Sequence, residues 1–152
     1  MGDIARIFLE DRLGGCKVTQ VTDGDEALQH IHSQQYDAIV ADYEMPGLDG
    51  LQLLRALRNA GDNTPFLVCT GKSRHEVVIE ALNAGADFYL QKGEDPLVLF
   101  TEMKQMIVQA VTRRRSEKAL AKSRNLLEEI IDFLPDATLA VDSSGQIIAW
   151  NR

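Results

Sequence analysis

Cysteine is scarce in this chain: 152 residues hold two, Cys16 and Cys69, far apart and without C-x-x-C spacing. That scarcity excludes a disulfide framework and a thiolate metal cluster, and the apolar neighbours of both predict free thiols in a reducing compartment. Basic charge is also in short supply, with 16 Lys and Arg against 23 Asp and Glu for a formal net charge of -7 and a pI near 4.9. Such a balance argues against nucleic acid as the main partner, and no helix-turn-helix pattern is evident. No signal peptide and no apolar run of membrane-spanning length is found, so the expected location is the cytoplasm. What is present is 45% hydrophobic content over 152 residues, enough for one complete domain with additional pieces.

Apolar strands alternate with amphipathic helical stretches and short polar turns, the pattern of an α/β protein with a parallel sheet. Residues 36–41, Y-D-A-I-V-A, read as a strand covered on both faces, closed by Asp42 and the segment D-Y-E-M-P-G-L-D-G. In open parallel sheets ligands gather beyond the carboxyl ends of the strands, which is where Asp42 falls. Pro46 fixes one dihedral angle of the turn, Gly47 permits positive φ, and Asp49 is placed to cap the next helix. Two further apolar strands end the same way: residues 66–69 run into Thr70-Gly71, and residues 86–91 run into Lys92-Gly93. Taken singly, such residues are commonplace: a cap, a turn former, a solvated charge. Their joint order at three successive strand ends is not.

With Asp42, Thr70 and Lys92 so spaced, and the M-P-G turn after Asp42, residues 3–108 resemble the response regulator receiver domain of two-component signalling. The resemblance implies a flavodoxin-like, doubly wound parallel sheet. It implies that Asp42 accepts a phosphoryl group from a histidine kinase, that Lys92 pairs with the phosphoryl oxygens, and that the Thr70 hydroxyl donates to one of them. Thr70 and Tyr89 would form the switch. Mg2+ would be held by Asp42, the backbone carbonyl of Glu44 and a pair of adjacent acidic residues ending a first strand. Neither that strand nor that pair stands before the helix that begins near Asp3, so the fold is expected to lack its first strand and the metal site to be incomplete. Two departures accompany this: Gly93 stands where many members have proline, and Glu44 adds a negative side chain beside Asp42. A haloacid dehalogenase-like phosphatase also uses a strand-end Asp nucleophile, but it requires a second Asp where this chain has Glu44.

Around these strands, Ile4, Ile7, Phe8 and Leu9 mark a first helix that stops at Gly14-Gly15, and residues 17–21, K-V-T-Q-V, read as a short strand. Asp23 with Glu26 reads as a capping box for a helix turning Ala27, Leu28 and Ile31 inward, with His30 and His32 at the surface. Leu51, Leu53, Leu54 and Leu57 form the buried stripe of the next helix. Ser73 with Glu76 reads as a second capping box, before a helix burying Val77, Val78, Ala81 and Leu82 and ending at Gly85. Arg74-His75-Glu76 is similar to the phosphoacceptor box of histidine kinases but lacks its following basic residue and proline, which leaves His75 a first-turn helix residue.

From Asp95-Pro96 helix-favouring residues run to about Leu134, some forty residues, or about 60 Å at 1.5 Å each. Leu120, Leu127 and Leu134 recur every seven residues, with Ile130 and Ile131 between, so residues 109–134 resemble a short dimeric coiled-coil linker; the alternative is a helix lying on its own domain. The basic cluster 113–115 reads as a solvated face. Residues 137–141 and 146–151 flank D-S-S-G as a hairpin, and with L-L-E-E-I-I-D-F-L-P-D-A before it, residues 135–152 resemble the opening of a PAS domain. The expected protein is therefore no enzyme in itself. It is a phosphorelay receiver signalling through a helical linker to a PAS sensor, with a histidine kinase as phosphodonor and a homodimer formed through the linker. The alternatives are a phosphorylation-incompetent receiver used for docking or dimerisation, and a piece of a PAS-containing sensor kinase whose ligand-binding domain dominates function.

Overall fold

The computed structural model describes residues 2–71, 75–133 and 139–150. Helix α1 (Gly2–Leu13) ends where Gly14 and Gly15 both take positive φ, a conformation other residues resist. Leu9 is buried from it, whereas Ile4 and Ile7 face outward, so only part of the expected apolar stripe is used. Helix α2 (Gly24–Ser33) is capped by Asp23, whose side chain accepts from the amides of Asp25 and Glu26. It turns Ala27 into the core with Leu28 and Ile31 beside it, leaving His32 exposed and His30 half-buried. Helix α3 (Gly50–Asn59) opens with a complete capping box between Asp49 and Gln52, and all four predicted leucines are buried.

Three strands follow the pattern of the sequence, β1 (Ile39–Asp42) starting later than read, β2 (Phe66–Thr70) where expected and β3 (Phe88–Gln91) later. They form one parallel sheet in the order β1-β2-β3, with Asp42 level with Cys69 and Thr70 level with Gln91. β2 is central and buried at every position. Helix α4 (His75–Asn83) buries Val77 and Ala81, but Leu82, read as a core residue, is half-exposed. The expected cap Ser73 lies outside the described residues.

One predicted strand is absent. Residues 17–21 form no regular element and join no ladder, and among the described residues β1 has a strand partner on one side only. The reason is physical: a strand exists by pairing, and among the described residues none is paired with residues 17–21. The segment nonetheless keeps its place in the layers. Val21 packs with the core of α2, α3 and the sheet, built on Leu53, Leu54, Phe66 and Val68, while Val18 packs on the other face with Leu9, Phe100 and Met103.

Helix α5 (Pro96–Asp132) is continuous over 37 residues. The chain divides into two compact units, Met1–Val111 and Thr112–Arg152. In the first, α5 contributes buried Leu99, Phe100, Met103 and Ala110; in the second, Leu120, Leu126, Leu127 and Ile130 are exposed. The second unit also holds β4 (Leu139–Val141) and β5 (Ile147–Trp150), an antiparallel hairpin with a register shift between Ala140 and Val141. Its turn is built on Asp142, which accepts from the Ser144 hydroxyl, the Gln146 amide and the Ser144 amide. These bonds hold its carboxyl below the usual range, the Ser144 hydroxyl most of all. Leu134, residues 135–138 and Asn151, all used in the sequence reading, lie outside the described residues.

Candidate functional site

The three predicted residues stand at one end of the sheet because three parallel strands stop together, and two of them, Asp42 and Lys92, meet. Asp42 is the last residue of β1, Thr70 the last of β2, and Lys92 follows the last of β3. The ladder carries on briefly past the strand ends: the Tyr43 amide donates to the Cys69 carbonyl at 2.6 Å, and the Lys92 amide to the Thr70 carbonyl at 2.8 Å. Side chains alternate along a strand, so Asp42, Cys69, Leu90 and Lys92 share one face of the sheet, and Thr70 and Tyr89 share the other. On the first face Lys92 Nζ forms an ion pair with Asp42 Oδ2 across the end of β2. Both side chains remain about a third open to solvent, so an incoming anion can reach them. On the second face Thr70 is buried at 1% exposure, with Tyr89 half-buried.

The remaining carboxylate oxygen is also engaged: Asp42 Oδ1 accepts from the Glu44 amide at 3.3 Å, which turns the chain directly after the strand. Glycines then permit a close fold-back. A Cβ on Gly50 would stand 2.5 Å from the Asp42 carbonyl oxygen, and one on Gly24 would fall on the Leu48 carbonyl oxygen. Gly47 has φ of +70° and lies against the carboxylates of Asp23 and Asp25. Helix α3 therefore begins immediately behind Asp42, its Gly50 amide donating to the Tyr43 carbonyl at 3.3 Å. Sequence reasoning assigned roles to Pro46, Gly47 and Asp49 but missed Gly50. The D-G pair opening the helix was the available signal.

Cys69, level with Asp42 on the same face, was also missed as a neighbour of the site. Burial pushes its thiol up to about 12, with Lys92 pulling down and Asp42 pushing up. It is a packing residue under the carboxylate, protonated and inert. Burial also raises the Tyr89 hydroxyl, with Cys69 adding to it.

Magnesium prefers six oxygen ligands in near-ideal octahedral geometry. The described residues contain no group of three or more His, Cys, Asp or Glu side chains able to hold a metal ion, and Asp42 has both oxygens committed to protein partners. The donor set present does not fit the ion.

A parallel sheet packed between helices on both faces, with a carboxylate and an ammonium paired at its carboxyl ends, is a flavodoxin-like α/β arrangement. The response regulator receiver domain model matches residues 2–107, and the chain belongs to that family. Response regulator MprA of Mycobacterium bovis (strain BCG / Pasteur 1173P2) is 40% identical over 109 residues, covering 72% of this chain and 45% of its own. Response regulator MprA of Mycolicibacterium vanbaalenii is 46% identical over 78 residues, covering 51% and 34%. The chain thus spans less than half the length of these relatives. Among solved structures, the receiver domain of the Francisella response regulator 1452 matches at 32% identity and a TM-score of 0.64, covering 74% of this chain and 91% of its own. The Vibrio cholerae chemotaxis protein CheY4 matches at 27% and 0.59, covering 68% and 87%. No helix among the described residues is long and apolar enough to cross a membrane.

Proposed function

We infer that residues 1–108 act as a phosphoacceptor in a two-component relay, with Asp42 taking a phosphoryl group from a phosphohistidine of a partner kinase. The observation that carries this reading is the Lys92–Asp42 ion pair at the converging ends of β1 and β3. An Asp42 oxygen attacks phosphorus, the P–N bond of the phosphohistidine breaks, and its electrons return to the imidazole, which takes a proton. Lys92 exchanges its carboxylate partner for the phosphoryl oxygens, a charge-assisted contact that needs no large movement. Thr70 donates to the same oxygens, and its shift toward them changes the space beside Tyr89 on the α4 side, which biases a two-state surface.

The finer organisation belongs to the same reading. Residues 109–134 connect the receiver to a PAS-like segment at 135–152, and the exposed apolar residues of α5 pair two copies; the assembly is cytoplasmic. The second reading, a docking receiver that is not phosphorylated, is favoured by one observation, the misfit of the donor set to magnesium. Acetyl phosphate and a phosphorylated kinase domain, each with and without magnesium, separate the two. Intact-mass analysis is expected to show one hydroxylamine-labile phosphoryl group on the chain and none on Asp42→Asn. A chain that takes up no phosphoryl group under any of these conditions is a docking module.

A further inference from the structure

Residues 112–125 of α5 hold six basic side chains and one acid, a local charge of +5 in a chain of net charge -7. Two of the six are compensated along one flank, Arg113 by Glu117 at 3.8 Å and Arg124 by Glu128 at 3.5 Å. Arg114, Lys118 and Lys122 stand apart from that flank. Spaced at i,i+4, they form a row up one helix face, each about 6 Å above the last, and among the described residues none of the three enters an ion pair. Lys118 and Lys122 are exposed; Arg114 is half-buried and its Nε finds no acceptor among the described residues. Like charges at this spacing oppose helix formation, so the helix carries the row at a cost that its flank avoids. The row ends at Lys122, since the next charged side chain on that face is Glu129. At 3.6 residues per turn it lies opposite Leu120 and Leu127, which are exposed on the other side of the helix.

We propose that this row binds the phosphate backbone of a nucleic acid, whatever its base sequence, as a contact additional to the phosphorelay. A nucleic-acid strand presents fixed negative charges along a line, which a straight row of cations meets without needing any other surface. An acidic protein would need an apolar centre to the interface, and the small Ala121 and polar Asn125 beside the row supply none. An anionic bilayer fits less well. A helix lying in the lipid interface buries its apolar face, and burying Leu120 and Leu127 would turn this row away from the head groups. The net charge of -7 opposes any polyanion, but screening over about 8 Å at physiological salt confines that repulsion to its own neighbourhood. Binding is therefore expected at the weak end of the non-specific range, with a dissociation constant of about 100 μM.

The probe is a fluorescein-labelled DNA duplex of mixed sequence, about 20 base pairs long, titrated with the whole chain while fluorescence anisotropy is followed at several salt concentrations. Three neutralised phosphates give a slope of about -2.7 for log K against log salt, so affinity should fall about 40-fold between roughly 50 and 200 mM. Replacing both lysines, Lys118→Gln with Lys122→Gln, should bring the slope to about -0.9 and weaken low-salt binding at least tenfold. Arg124→Gln, from the paired flank, should leave the slope near that of the unaltered chain. Far-UV circular dichroism should show undiminished helix in both variants, because exchanging exposed lysines for glutamine relieves repulsion. No binding at low salt with millimolar chain, or a slope that the double lysine substitution does not change, overturns the proposal. So does tighter binding of polyglutamate, which makes the partner an acidic polypeptide, or sedimentation with phosphatidylglycerol vesicles without duplex binding, which makes it a membrane.

Discussion

Arg58, which the sequence did not single out, joins several segments of the receiver. Its guanidinium donates to the Gly85 carbonyl at 3.0 and 3.2 Å, to the Asp62 and Thr64 carbonyls at 2.7 and 3.1 Å, and reaches Asp87, which also accepts from the Phe66 amide. It ties the end of α3 to the starts of β2 and β3, at the opposite end of the strands from Asp42. Arg58→Ala strands several carbonyls at once and should cost about 2–3 kcal/mol in urea unfolding, with phosphoryl uptake at Asp42 unchanged at temperatures where the variant is folded. Cys69 sets a pH effect whose sign follows from its position. Its thiol ionises near 12 in the fold against about 8.5 in an unfolded chain. Below pH 8.5 both states hold the proton and stability is unaffected. Above it the unfolded chain binds fewer protons, so stability should fall by up to about 1.4 kcal/mol per pH unit toward pH 12. Urea midpoints at pH 8 and 10.5 should show a steeper loss for the chain than for Cys69→Ala; parallel losses would remove Cys69 as the cause.

At the scale of elements, the start of α3 is where the site and the fold share residues. The Asp49 side chain accepts from the Gln52 amide at 2.7 Å and Gln52 returns the bond at 3.0 Å, so Asp49→Ala should cost about 1 kcal/mol. Gly50→Ala should cost more, about 2–3 kcal/mol, because its Cβ meets backbone at Asp42 and cannot be accommodated by a rotamer change. It should also displace the Asp42 carbonyl and slow phosphoryl uptake, which Asp49→Ala should not; time courses of acetyl phosphate labelling compare them. Leu51, Leu53, Leu54 and Leu57 were readable because a helix facing a sheet must repeat its apolar positions, and all are buried. β2 was readable because a strand covered on both faces needs an unbroken apolar run. The misreadings share a different origin. Residues 17–21 have a strand's composition but no paired neighbour among the described residues, and pairing is not a property of the segment itself. Leu82, Ile4 and Ile7 sit on the right helices, but at the rim of their apolar stripes, where burial depends on what packs alongside. That Lys92 could meet Asp42 was legible from polar residues closing successive apolar strands, but their ion pair was not, since nothing local in either strand announces the other.

Across the whole molecule, α5 changes its surroundings without changing its structure. Its first turns bury Leu99, Phe100 and Met103, and beyond Val111 exposed Leu120, Leu127 and Ile130 follow one another at spacings of seven and three, with Leu126 beside them. The ion pairs Arg113–Glu117 and Arg124–Glu128 lie along one flank at i,i+4 spacing. They contribute little stability in solvent, a few tenths of a kcal/mol each, and Arg113, seven residues before Leu120, ends the apolar stripe upstream. A stripe with coiled-coil spacing is self-complementary: a second copy brings leucine to leucine, whereas a solvated helix has no use for the repeat. Light scattering behind gel filtration should therefore report a dimer at tens of micromolar. Leu127→Lys removes one buried leucine per copy, two per dimer. At about 1.5–3 kcal/mol for each buried side chain, the dissociation constant should rise at least 100-fold. The receiver unit should keep its fold, read as an unchanged urea transition for residues 1–111, because Leu127 lies outside that unit. A chain that is monomeric at 100 μM, or a Leu127→Lys dimer of undiminished affinity, would mean that the stripe meets something other than its own copy.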